Sequence, residues 1–224
     1  MHIWPRMHIW PQIVLGGLLV LCASPGRTAE TLNPDKFKHV TNIFEAVVQY
    51  PAPSWRTSVS LDDSEYYRDQ KGPSFIFEQI PKGESFEAWT QLYAVHGAYL
   101  PKVGDLTINK YANLNMNGFI QACGRQNIAI TKLDDSANAL TIILFCAASP
   151  NGSAKLGYGP DKGEIALMTF RRQDNTFIKI YHEWRGQKFT AADNATWPVT
   201  PTVLNEMIRR FKDIRISKSS RPIK

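Results

Sequence analysis

Residues 127–184 constrain the fold more than any other part of the chain. Four segments follow one another there, 127–133, 139–147, 164–171 and 176–184, and all four read as strands. Asp134 to Asn138 links the first two, and Gln173-Asp174-Asn175 links the last two. Successive strands with links this short pair antiparallel, so this stretch predicts an antiparallel meander. Ile142-Ile143-Leu144-Phe145 is apolar at consecutive positions, which predicts a central strand covered on both faces. The 149–163 connection is rich in Gly, Pro and Ser and is long for a hairpin.

Helices flank the meander. Asp105 is the expected cap of a helix over 106–122, with Ile108, Tyr111, Ala112, Met116, Phe119 and Ile120 as its apolar stripe and Gly124 as a stop. Thr200 and Pro201 open a second helix, expected to reach Ile214, with Val203, Leu204, Met207, Ile208 and Phe211 on one side. Asn33-Pro34 and the spacing of Phe37, Val40, Phe44 and Val47 predict a further helix over 34–49. Residues 55–61, 74–80 and 89–96 read as strands, and 62–72 as a polar loop. An antiparallel sheet with packed helices, an α+β sandwich, satisfies all these faces.

That element order is similar to the PsbP-like sandwich. The resemblance covers roughly residues 55–215 and rests on the order of elements and the segment Phe75 to Val95. It implies an accessory or binding role in a cell envelope, and it carries over no site residue.

The N-terminus sets the compartment. Ile13 to Ala23 is an unbroken apolar run behind Arg6, shorter than the roughly 20 residues of a membrane span and suited to a signal peptide. Cleavage after Ala23 and after Ala29 both remain open. Met1 to Pro5 is repeated as Met7 to Pro11, so Met7 competes with Met1 as the start. The expected organisation is a signal peptide at 1–29, one α+β domain at 30–216 and a basic flexible tail at 217–224. Of the 26 Lys and Arg, Arg6 and Arg27 leave with the leader, so 24 face all 20 Asp and Glu and the mature charge is +4. The balance is mild, and no stripe of cations with interleaved aromatics points to nucleic acid. The basic C-terminus is a candidate contact for an anionic membrane surface. In an oxidising compartment the two remaining cysteines, Cys123 and Cys146, are expected to pair as a structural disulfide.

Catalytic motifs are absent. There is no G-x-S-x-G, no phosphate loop and no paired metal spacing, and no cofactor or metal site is expected. The leading expectation is a periplasmic or secreted protein that binds another envelope or secreted protein without catalysis. Tyr66, Tyr67, Tyr158 and Trp197, aromatics expected in loops, are its candidate binding residues. The alternative is an exported hydrolase or metal-dependent enzyme. It requires His96 and His182 to meet beside a carboxylate such as Glu78 or Glu183.

Overall fold

Backbone pairing in the second half of the chain follows the apolar pattern. The computed structural model describes residues 38–57 and 60–220. The expected leader, the start of the expected first helix and residues 221–224 lie outside them. Strands β6 (Ile128–Ser136), β7 (Ala139–Cys146), β8 (Lys162–Gln173) and β9 (Thr176–Gln187) form the expected meander. β7 is buried from Leu140 to Cys146, which is why both of its faces are apolar. The chain turns more tightly than expected after β6: Ser136 pairs with Ala139, and a bulge at Leu133 restores the register.

The meander is extended by β3 (Ser64–Lys71), β4 (Ser74–Pro81) and β5 (Gln91–Tyr99), giving a seven-stranded sheet of order β3-β4-β5-β9-β8-β7-β6. All its pairings are antiparallel. The expected loop at 62–72 is therefore largely β3. Its charged sequence suits an edge strand, where both faces meet water. The expected strand at 55–61 is turn and coil in its described part, with Trp55 packed edge-on to His182.

Alternation assigns each side chain a face. Ile178, Ile180, His182 and Trp184 point one way from β9, while Phe177, Lys179, Tyr181, Glu183 and Arg185 point the other. Helix α1 (Ile108–Cys123) packs on the second face over β7 and β8. Its cap is Thr107, whose hydroxyl accepts from the Lys110 N–H at 3.2 Å, rather than the expected Asp105. The first face carries helix α2 (Pro201–Phe211) and a small sheet of β1 (Lys38–Ile43), β2 (Ala46–Pro51) and β10 (Arg215–Lys218). Thr200 and Pro201 open α2 as expected, and Leu204, Met207 and Phe211 are buried, each contributing about 1.5–3 kcal/mol.

The expected helix at 34–49 is a hairpin instead. Val40 is exposed, and the buried residues are Ile43, Ala46, Val48 and Tyr50. The last three recur at the strand period of two, and packing of that row onto the large sheet outweighs the coincidental helical spacing. Close approach of the layers depends on Gly97 in β5, where a Cβ would meet Ile43. The expected flexible tail is in part β10. Ile216 pairs with Val48, and Lys218 reaches Asp174 at 3.3 Å.

Cys123 ends α1 and is bonded to Cys146 on β7, with Cα atoms 5.7 Å apart. Gly124, at φ +70, turns the chain between them. Cys146 sits opposite Ile128, so the tight bend after α1 alone brings the two sulfurs together.

Candidate functional site

Polar residues line the α1 face of the large sheet in a continuous row. Glu78 comes from β4, His96 from β5, Lys179, Tyr181, Glu183 and Arg185 from β9, and Glu164 from β8. Register places them together: His96 lies opposite Lys179, Ala94 opposite Tyr181, and Glu164 opposite Arg185. Because α1 covers β7 and β8, the far end of the row stays open, and the His96 and Glu78 side chains keep 25% and 20% of their exposure.

At that open end three groups form a triangle. The Tyr181 hydroxyl donates to Glu78 Oε1 at 3.2 Å and lies 3.1 Å from His96 Nε2, which is itself 3.3 Å from Glu78 Oε1. A carboxylate oxygen only accepts, so Nε2 carries the proton of the neutral imidazole. Burial lowers the His96 pKa, and the bond to Glu78 partly offsets this. The Lys179 ammonium stands 4.4 Å over the Tyr181 ring.

Deeper in the row lies Glu183, 6% exposed, whose carboxyl has no hydrogen bond to any described residue. Burial and the nearby Glu164 hold its carboxyl well above the ordinary range, against the pull of Lys179 and Arg185. Arg185 closes the row. Its Nε donates to Glu164 Oε2 at 3.0 Å and its Nη1 to the Leu156 carbonyl at 2.8 Å. Its guanidinium is sandwiched between the Trp89 and Tyr158 rings, at 3.6 and 4.3 Å from their centres. The row favours the neutral form of Glu183 and presents hydrogen-bonded Glu78, Tyr181 and His96 at its open end.

His182 does not belong to it. It projects from the opposite face of β9, so the sheet separates it from His96, Glu78 and Glu183. It stacks on Trp184 at 4.0 Å with Tyr93 and Trp55 edge-on, and burial keeps it neutral by lowering its pKa well below 6.5. The Ser54 hydroxyl lies 3.4 Å from Nε2. That hydroxyl donates its one proton to Gln91 Oε1 at 2.9 Å, so the imidazole donates to the serine rather than activating it. Nδ1 has no hydrogen-bond partner, so no acid orients the ring. The two histidines required by the expected alternative are thus not brought together. Among the described residues no three His, Cys, Asp or Glu side chains are grouped to hold a metal.

The four candidate aromatics divide between the faces. Tyr67 lies opposite Glu78 at the open end of the row, and Tyr158 stacks on Arg185 at its closed end. Tyr66 points to the other face, tilted on Phe77 at 6.2 Å and 57% exposed. Trp197 packs on Phe145 at 4.9 Å, also on that face. Sequence reasoning named Glu78, His96 and Glu183 but missed Lys179, Tyr181, Glu164 and Arg185. For the β9 members the signal is Lys179, Tyr181, Glu183 and Arg185 at every second position of one strand.

No family model matches the chain, and no curated protein matches it in sequence. Among solved structures, the Saccharomyces cerevisiae Ran-binding protein Mog1p and a point mutant of Mog1 align with it. Each does so at 10% identity and a TM-score of 0.44, covering 80% of this chain and 95% of the other. A likeness of that degree does not bear on function.

Proposed function

We propose that the chain is an exported, periplasmic or secreted, non-catalytic binding protein that serves another envelope component. This is the role implied by the resemblance of the element order expected from sequence to PsbP-like proteins. The observation that carries the reading is the Cys123–Cys146 bond, both of whose cysteines are fully buried. Such bonds form and persist where the surroundings are oxidising, which agrees with the apolar run at 13–23 as an export signal. Recognition is supported by the open end of the polar row, where Tyr67, Glu78 and His96 reach solvent.

Expression of the full chain tests the reading. The expected product lacks residues 1–23 or 1–29, is recovered outside the cytoplasm, and has thiols that alkylate only after reduction. Recovery in the cytoplasm with the leader intact and both thiols free would overturn export. A photo-crosslinking side chain in place of Tyr67 is expected to capture an envelope protein, with capture lost in Glu78→Ala. Crosslinking that is indifferent to Glu78→Ala would count against this face.

A further inference from the structure

On the opposite face of the large sheet a cleft of about 220 Å³ opens between the two sheets, with Tyr50, Phe75 and Phe77 among its walls. His39 and Thr41 of β1 and Arg68 of β3 also line it. β1 and β3 are each an edge strand, so each has a side beside the opening that pairs with no described strand.

Charge in the cleft is one-sided. Arg68 is exposed, stands 5.5 Å over the Phe75 ring, and makes no ion pair with a described residue. Behind the wall the Arg56 guanidinium donates to His39 Nε2 at 2.9 Å, so His39 keeps its proton on Nδ1. Burial and Arg56 lower the His39 pKa to about 4, which leaves the imidazole neutral at neutral pH. Among the described residues no Asp or Glu lines the cleft, and the carboxylate that offsets Arg56 is Asp63. The volume is below the roughly 300 Å³ at which small-molecule and cofactor pockets begin, and it matches one side chain of a larger partner.

We propose that this cleft receives an acidic, extended peptide segment of a partner protein. Its carboxylate meets Arg68, an adjacent aromatic side chain enters between Tyr50 and Phe77, and its backbone runs along the β1 or β3 edge. The site lies on the other face from the polar row, and it stands whether or not the chain is exported.

The test is an NMR titration of the isotopically labelled chain with blocked tetrapeptides, acetyl-Gly-Asp-Phe-Gly-amide against its Asn-for-Asp counterpart. The Asp peptide is expected to shift amides of β1 and β3 and to bind about fivefold more tightly than the Asn peptide. In Arg68→Gln that difference disappears while the spectrum away from the cleft is unchanged, because Arg68 is exposed. Equal binding of the two peptides, shifts confined to other elements, a difference that survives Arg68→Gln, or no shift up to about 5 mM peptide would each overturn the proposal.

Discussion

Glu183 and Arg185 stand two residues apart on one strand and respond oppositely to loss of charge. The raised Glu183 carboxyl means that the folded chain keeps a proton the unfolded chain has already released. Stability from this group is therefore lost as pH rises from about 4.5 through the raised value. Glu183→Gln fixes the neutral form in nearly the same shape. Urea denaturation is expected to show the variant gaining stability over the parent as pH rises, and parallel pH profiles would refute the assignment. Arg185 is the reverse case, because its ion pair with Glu164 is almost fully enclosed, at 7% and 2% side-chain exposure. Arg185→Met leaves Glu164 buried without its partner and is expected to cost about 3–5 kcal/mol. A loss under 1 kcal/mol in the same denaturation assay would show that Glu164 is satisfied without it.

At the scale of elements, α1 is held by its last residue. The Cys123–Cys146 bond closes a loop with a sequence separation of 23, worth about 3 kcal/mol. In the double Cys→Ala variant the loss is expected to be of that size. Amide exchange should then quicken at Asn151, whose N–H donates to the Ala122 carbonyl at 2.9 Å and whose side chain caps the Gln121 carbonyl. Unchanged exchange there would mean that α1 needs no covalent anchor. The meander and α2 were legible in the sequence because one apolar period ran through each with turn or cap residues at the ends. The first hairpin was not, because Val40, Phe44 and Val47 fall at helical spacing while the row that packs, Ala46, Val48 and Tyr50, is masked by apolar Val47 between its members. β3 was hidden for a different reason: an edge strand wet on both faces has no apolar period to read. The polar row was half visible. Glu78 and His96 could be named, but their meeting with Tyr181 depends on the register of β4, β5 and β9, which no local pattern fixes.

For the whole molecule, the small sheet joins the two ends of the described chain. β10 covers the edge of β2 and is tied by the Ser219 N–H to the Glu45 carbonyl at 2.7 Å. A chain ending at Ile214 is expected to lose about 2 kcal/mol and, with the β2 edge uncovered, to self-associate in a concentration-dependent way. Light scattering together with denaturation would read both, and a stable monomer would show that β10 is dispensable. This closure also sets a clock. β2 is synthesised more than 160 residues before β10, an interval of roughly 10–30 s at ordinary elongation rates. Until then one layer of the sandwich lacks its closing strand, so the fold stays incomplete until β10 is made. That is the state in which a polypeptide can still be threaded across a membrane.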